Sequence, residues 1–162
     1  MNKTDARTVG VVSVPPPPNG GERRGLVIVP TYNERDNLPV LVPHVMGLPV
    51  QVDLLIVDGN SPDGTGKLAD ELAVQQPRLK VLHEQGKSGL GRAYCAGFKW
   101  AVEREYGFIM EMDGDFSHNP DDIPRFIEAA QNADLVLGSR YRDGIRVINW
   151  PLRRLMLSMA AA

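Results

Sequence analysis

The chain has little of several features that would point to particular classes of protein. It contains a single cysteine, Cys95, among 162 residues, so no disulfide can form within the chain, which suits a reducing compartment. Its formal net charge is −2, with 18 Lys and Arg against 20 Asp and Glu, and it has neither a basic stripe nor an aromatic ladder. We therefore expect no nucleic-acid partner.

Long apolar runs are also missing. No run approaches the roughly 20 residues that are needed to cross a bilayer, and the N-terminus carries Asp5 and lacks the apolar core of a secretory signal. We therefore expect the protein to start in the cytoplasm. Hydrophobic residues make up 43% of the chain and charged residues 23%, the balance of an ordinary globular domain with one hydrophobic core.

The first 24 residues differ in composition from the rest. They include four consecutive prolines at positions 15–18, followed by two glycines and three charged residues. Such a segment has little apolar surface to bury. The sequence predicts a disordered or extended leader over residues 1–24 and one folded domain over residues 25–162.

From residue 25 onward, strand patterns and helix patterns alternate. Short apolar runs predict five strands, at residues 26–29, 52–57, 79–83, 108–112 and 135–137. Apolar residues at helical spacing predict helices over residues 37–46, 65–76 and 90–105, and a further helix start at residues 119–122. This order is typical of an α/β fold, with a mostly parallel sheet flanked by helices.

Polar residues follow the predicted strands. The first strand is followed by residues 30–34, the second by residues 58–63, the fourth by residues 113–115 and the fifth by residues 139–140. Because ligands of such sheets bind beyond the carboxyl ends of the strands, we expect these groups to meet at one edge of the sheet.

The pair Asp113 and Asp115 is the sharpest feature of this edge. Two carboxylates one residue apart, directly after a buried strand, cannot both enter the core cheaply as ions. Exposed together, they repel each other and favour a divalent cation, which could bridge to a diphosphate and neutralise charge on a leaving group. The same spacing is common in turns, but its position after the fourth strand favours the functional interpretation.

Two glycine-containing segments have ordinary structural explanations. In residues 61–65 (SPDGT), proline and glycine suit a turn, and Asp63 or Thr65 can cap the next helix. This interpretation leaves Asp58 free for ligand contact. Residues 87–92 (KSGLGR) lack the spacing of either nucleotide-binding fingerprint, so we interpret them as the start of a helix close to the sheet.

The histidines do not have metal-ligand spacing. His118 follows the acidic pair and is a candidate for shaping the site, whereas His44 and His83 are expected to be structural or exposed. Arg140 follows a strand end and Arg154 lies in a late amphipathic segment. Arginines at the surface are usually solvated, but a guanidinium at a strand end could hold a phosphate.

Together these segments resemble the polyprenyl-phosphate (dolichol-phosphate) mannosyltransferases, a branch of the family-two glycosyltransferases. The matching motifs keep the order and spacing of the family and are residues 30–34 (PTYNE), 57–65 (VDGNSPDGT), 89–94 (GLGRAY), 112–118 (MDGDFSH), 138–141 (GSRY) and 149–150 (NW). The resemblance implies a GT-A (Rossmann-like) nucleotide-sugar-binding fold that is cut short on its C-terminal, acceptor side.

The resemblance also implies substrates, a cofactor and site residues. The donor would be GDP-mannose and the acceptor a polyprenyl phosphate lipid at the cytoplasmic face of a membrane, with Mg²⁺ or Mn²⁺ as cofactor. The implied donor-binding residues are Pro30, Tyr32, Glu34, Val57, Asp58, Gly59, Asp113, Gly114 and Asp115. Asp113, Asp115 and Ser117 would hold the metal, Arg140 and Arg154 the acceptor phosphate, and Asp115 and Arg140 would be the catalytic residues.

The implied chemistry needs no strong general base. A phosphate monoester is already largely anionic near neutral pH, so the enzyme would align it with the anomeric carbon and stabilise the departing diphosphate. We therefore expect a direct displacement with inversion and no covalent glycosyl-enzyme.

Two features depart from the family pattern. Family members usually carry two consecutive acids at the end of the second strand, whereas here Asp58 is followed by Gly59. The chain also ends at Ala162, before the segment that completes the acceptor side in the family. Two alternatives therefore stay open: transfer of another sugar, such as glucose, to the same lipid class, and an inactive truncated fragment that binds nucleotide.

Overall fold

The computed structural model describes residues 10–13, 24–104 and 106–138. Its strands are β1 (Gly10–Ser13), β2 (Gly25–Thr31), β3 (Val52–Asp58), β4 (Leu79–His83), β5 (Phe108–Glu111) and β6 (Leu135–Leu137). Its helices are α1 (Leu38–Met46), α2 (Thr65–Gln75), α3 (Leu90–Val102) and α4 (Ile123–Ala130), the last preceded by a 3₁₀ turn at Pro120–Asp122. The five strands and the helices predicted from the sequence are confirmed, with ends that shift by a few residues.

The strands form one mixed sheet in the order β4-β3-β2-β5-β1-β6. Strands β4, β3, β2 and β5 run parallel to one another, and β1 runs antiparallel to both β5 and β6. The carboxyl ends of the parallel strands therefore share one edge, and the loops that leave them are brought together there. The predicted fold class, a mostly parallel sheet flanked by helices, is confirmed.

Strand β1 comes from the segment for which the sequence predicted a disordered or extended leader, most of which lies outside the described residues. Its backbone pairs Gly10 with Glu111 of β5 on one side and with Leu137 of β6 on the other. Of the two predicted alternatives, Gly10–Ser13 have the extended one, as a strand within the sheet. The physical reason is that the β-branched residues Val11 and Val12 suit a strand, and the edge of β5 supplies the hydrogen-bond partners that an isolated segment lacks.

Helices cover both faces of the sheet, which explains why β2 and β3 are buried along nearly their whole length. Val27 and Val29 of β2 belong to the core cluster that includes α1 and α4, whereas Leu26 and Ile28 belong to the cluster that includes α3. Gly97 brings α3 close to the sheet, because a Cβ atom there would lie 2.6 Å from Cγ2 of Ile28. Among the helices of the described residues, none is both long enough and apolar enough to span a bilayer.

A buried carboxylate lies near the opposite end of β3 from the shared carboxyl edge. Asp53 is 3% exposed and accepts hydrogen bonds from the Tyr106 hydroxyl, at 2.7 Å, and from the Arg24 guanidinium, which also lies over the Tyr106 ring. Burial, followed by the bond to Asp53, raises the pKa of Tyr106 well above its ordinary value. The hydroxyl therefore stays protonated and donates, so that this buried carboxylate is satisfied.

Candidate functional site

An open pocket of about 280 Å³ lies at the carboxyl edge of the sheet. Residues at or after the carboxyl ends of four different strands line it. They are Pro30 and Thr31 at the end of β2, Tyr32 and Glu34 after β2, Gly59 after β3, Glu84, Lys87, Ser88, Gly89, Leu90 and Ala93 after β4, and Asp113, Gly114 and Asp115 after β5. The structure therefore brings together all of the predicted donor-binding residues except Val57 and Asp58.

Asp113 is held from two sides. The Tyr94 hydroxyl donates to its Oδ1 over 3.1 Å, and the backbone N–H of Asp113 donates to Nδ1 of His118 over 3.0 Å. The other ring nitrogen of His118 lies 3.6 Å from Oδ2. Burial, followed by the charge and hydrogen bond of Asp113, raises the pKa of Tyr94 far above its ordinary value, so the phenol remains a donor. His118 thus contacts the acidic pair, as its place in the sequence indicated.

Asp115 is tied to Ser117, the third residue of the predicted metal set. The N–H of Ser117 donates to Oδ1 of Asp115 over 2.9 Å. Burial acts to raise the pKa of Asp115, but the hydrogen bonds from Ser117 and the nearby His118 outweigh it and hold this pKa below its ordinary value. Phe116, between them, has a φ of 59°, an uncommon backbone conformation for a bulky residue. Asp115 therefore adds an ionised carboxylate to the lining of the pocket.

Glu34 brings a third carboxylate to the pocket. Burial raises its pKa, a hydrogen bond from Asn37 opposes the rise, and the charges of Asp115, Asp63 and Asp113 add to it. Asn37 stands at the start of α1 as predicted, but its side chain donates to Glu34 and does not cap the helix. The mutual repulsion of these acids favours a bound cation. Within residues 10–13, 24–104 and 106–138, however, no group of three His, Cys, Asp or Glu could hold a metal by itself.

Asp58 is not among the residues that line the pocket, and its carboxylate closes the turn after β3. It is 2% exposed, and it accepts hydrogen bonds from the Ser61 hydroxyl (2.6 Å), the Ser61 N–H (3.1 Å) and the Thr31 hydroxyl (3.3 Å). These bonds hold the Asp58 carboxylate within the turn, and its contact with the donor stays a prediction. The side chain of Val57 is fully buried in the core cluster beside α3.

Gly59 forms part of the pocket wall. Its N–H donates to the carbonyl of Thr31 over 3.0 Å, and its backbone is outside the left-handed region. A Cβ atom there would make ordinary contacts, at 3.5 Å from the Thr31 oxygen and the Tyr32 ring and 3.7 Å from the Cα of Lys87. A Cβ atom therefore fits where family members usually carry the second acid.

The loop between β4 and α3 was not predicted from the sequence to bind a ligand, yet it lines the pocket. Its residues do start a helix, as predicted, with Gly89 before α3 at a φ of 94°. Nζ of Lys87 lies 4.1 Å from the centre of the Tyr32 ring, and the Ser88 hydroxyl lies within 2.8 Å of both carboxylate oxygens of Glu84. The order of the strands in the sheet could have indicated this loop, because the loop follows β4, which lies next to β3.

The two predicted acceptor-phosphate residues, Arg140 and Arg154, lie outside the described residues. The same is true of the motif residues 139–141 and 149–150, since the described part ends at Gly138.

The fold and the acidic pocket at its carboxyl edge define a domain of the GT-A type. Residues 26–160 match the glycosyl transferase family 2, and the chain belongs to this family. Among solved structures, a mannosyltransferase from Pyrobaculum calidifontis in complex with GDP-Man and Mn²⁺ has a TM-score of 0.51 and 22% sequence identity, over 59% of this chain and 28% of that one. At this identity the similarity shows the fold alone.

Two curated relatives are more similar in sequence. The chain is 53% identical over 141 residues to the polyprenol monophosphomannose synthase of Mycolicibacterium smegmatis, over 86% of this chain and 53% of the relative. It is 48% identical over 139 residues to the undecaprenyl-phosphate mannosyltransferase of Micrococcus luteus, over 86% and 57%. The resemblance to polyprenyl-phosphate mannosyltransferases is confirmed, and the chain spans little more than half the length of these relatives.

Proposed function

We propose that this chain carries the donor-binding part of an enzyme that transfers mannose from GDP-mannose to a polyprenyl monophosphate. The observation that carries the proposal is the pair Asp113 and Asp115, which lines one pocket with Tyr32 and Glu34 at the carboxyl edge of the sheet. The names of the two relatives support the acceptor class. The mannosyltransferase from Pyrobaculum calidifontis, bound to GDP-Man and Mn²⁺, supports the donor and the metal.

The side chains of the pocket fit a hard divalent cation such as Mg²⁺ or Mn²⁺. Asp113 and Asp115 offer carboxylate oxygens, the ligands that these ions prefer. Because the described residues contain no cluster able to hold an ion by itself, the remaining ligands would come from the donor diphosphate and water. The bound ion would neutralise charge that develops on the leaving diphosphate.

The residues of the chain bind and orient the two substrates around this centre. Tyr32 and Gly59 are proposed to contact the nucleotide, and Asp115 with Asp113 the diphosphate through the cation. The acceptor phosphate is anionic and attacks with inversion and without a general base. Arg140 and Arg154 are proposed to hold this phosphate, and because the acceptor is a lipid, the enzyme would act at the cytoplasmic face of a membrane.

Calorimetric titration of the full chain with GDP tests the metal-bridged donor site. Binding is expected with Mn²⁺ or Mg²⁺ and should be lost in EDTA, because the acidic pair otherwise repels a diphosphate. Asp115→Ala should remove the metal-dependent part of the affinity. Asp70→Ala, at a half-exposed position on α2, is the matched control and should leave it intact. Equal affinity with metal and with EDTA would contradict the proposal.

A transfer assay then distinguishes the two alternatives. A chain that mannosylates a short polyprenyl phosphate from GDP-mannose, but does not use UDP-glucose, supports the mannosyl function. Use of UDP-glucose alone supports the glucosyl alternative. Metal-dependent GDP binding without transfer from either donor supports a nucleotide-binding fragment.

A further inference from the structure

Lys87 carries the only positive charge among the pocket-lining residues that the structure describes. We infer that Lys87 binds the diphosphate group of the donor. This inference rests on the proposed function and adds a contact that the motifs did not assign. Lys87 lies in the loop between β4 and α3, a different segment from the one that provides Asp113 and Asp115.

The charge balance of the pocket calls for such a cation. Four carboxylates line its described walls, those of Glu34, Glu84, Asp113 and Asp115. A diphosphate would add further negative charge to a space that is partly shielded from water, where like charges repel strongly. A metal ion beside Asp113 and Asp115 offsets part of this charge. An ammonium group from a separate loop offsets more of it and gives the diphosphate a second point of attachment.

The ammonium of Lys87 lies over an aromatic ring, and in the part of the chain that the structure describes no acid neutralises it. Nζ lies 4.1 Å from the centre of the Tyr32 ring, a distance at which cation–π attraction holds a lysine in place. No ion pair of Lys87 with a carboxylate occurs among the described residues. A contact with the ring face uses no oxygen acceptor, so the N–H donors of Lys87 are available for phosphate oxygens.

Gly59 places no side chain next to Lys87 and Tyr32. A side chain at position 59 would emerge next to the Tyr32 ring and the backbone of Lys87, at 3.5 and 3.7 Å. With glycine there, no carboxylate from this position competes with a phosphate for the ammonium. The departure of this sequence from the family pattern therefore leaves Lys87 available for the substrate.

The experiment compares three probes on the full chain with Mn²⁺: inorganic pyrophosphate, GDP and guanosine. Lys87→Met keeps the length of the side chain and removes its charge. The affinities for pyrophosphate and GDP should fall about 10- to 100-fold, the usual range for a lost charge-assisted hydrogen bond, and that for guanosine should stay within about twofold. Lys87→Arg should retain most of the affinity for pyrophosphate. Lys67→Met, at an exposed position on α2 paired with Glu71, should change none of the three.

The outcomes separate this inference from the proposed function. An unchanged affinity of Lys87→Met for pyrophosphate, or an equal loss for GDP and guanosine, would overturn the role of Lys87. If GDP binding of the wild-type chain depends on metal in that case, the proposed function still stands. Since pyrophosphate contains neither base nor sugar, a selective loss of its binding supports Lys87 even if the chain does not use GDP-mannose.

Discussion

The hydroxyl of Tyr94, on helix α3, donates a hydrogen bond to Oδ1 of Asp113, 3.1 Å away in the loop after β5. A helix on one face of the sheet thus sets the orientation of a carboxylate at its edge. The second oxygen of Asp113 lies 3.6 Å from Nε2 of His118, so each carboxylate oxygen has a defined neighbour. We regard Tyr94 as a positioning residue that acts through Asp113.

Tyr94→Phe should weaken binding of GDP in the presence of Mn²⁺ by about 3- to 10-fold. The variant loses one hydrogen bond, worth about 0.5–1.5 kcal/mol, and with it the fixed orientation of Asp113. Calorimetry of GDP at several Mn²⁺ concentrations measures the effect, which should appear as a higher Mn²⁺ requirement.

Tyr106→Phe is the matched control, because it removes the same hydroxyl from a bond to Asp53, away from the pocket. Asp53 is 3% exposed, so the loss should lower the free energy of unfolding by about 1–3 kcal/mol and leave GDP affinity unchanged. If Tyr94→Phe lowered stability to the same extent without any change in GDP affinity, Tyr94 would be merely structural.

Asp58→Ala should act on stability. It leaves the Ser61 N–H and hydroxyl and the Thr31 hydroxyl without their acceptor, at a cost of about 1–3 kcal/mol in the free energy of unfolding. Denaturant titration measures the loss, and Ser61→Ala, which removes only one of these bonds, should cost less. Full stability together with lost GDP affinity would instead support the predicted direct contact of Asp58 with the ligand.

Gly59→Asp should be tolerated by the fold, because the position has an ordinary backbone conformation and room for a side chain. If the acid regains a charge-assisted hydrogen bond to the base, guanosine binding should tighten by about 1–3 kcal/mol. Pyrophosphate binding should weaken, since the new carboxylate competes for Lys87. Titrations with the two probes, together with a melting curve, measure these effects. Unchanged guanosine affinity with an intact fold would show that position 59 does not contact the base.

Glu34→Gln should stabilise the metal-free protein at neutral pH. Burial and the neighbouring acids raise the pKa of Glu34, so the folded state disfavours its ionised form, and the resulting cost grows as the pH rises through the raised pKa. The glutamine keeps an acceptor for Asn37. Denaturant titrations in EDTA should show a small gain in the free energy of unfolding at pH 7, because Glu34 is only partly buried. This gain should disappear below the ordinary pKa of glutamate. A gain that does not vary with pH would contradict this account.

The local pattern of the sequence predicted the elements of the fold better than the roles of single polar residues. Apolar runs and helical spacing located the strands β2 to β6 and the helices, since both follow from neighbouring residues. Whether Asp58 faces a ligand depends on a competing turn that Ser61 closes. The place of Lys87 depends on which strands are neighbours in the sheet, and β1 depends on an edge formed by distant residues. Contacts of this kind join residues that are distant in the sequence, so the spacing of neighbouring residues does not predict them.

The position of β1 has a consequence for how the chain reaches this structure. Gly10 pairs with Leu137, so β1 is synthesised before β6 and finds this partner strand only after nearly all of the described chain has been made. Within the described residues β6 joins the sheet through β1 alone. Contacts between such distant segments form slowly, so the attachment of β6 belongs to the late steps of folding. A defect in β1 would then appear far away in the sequence, as a failure to anchor β6.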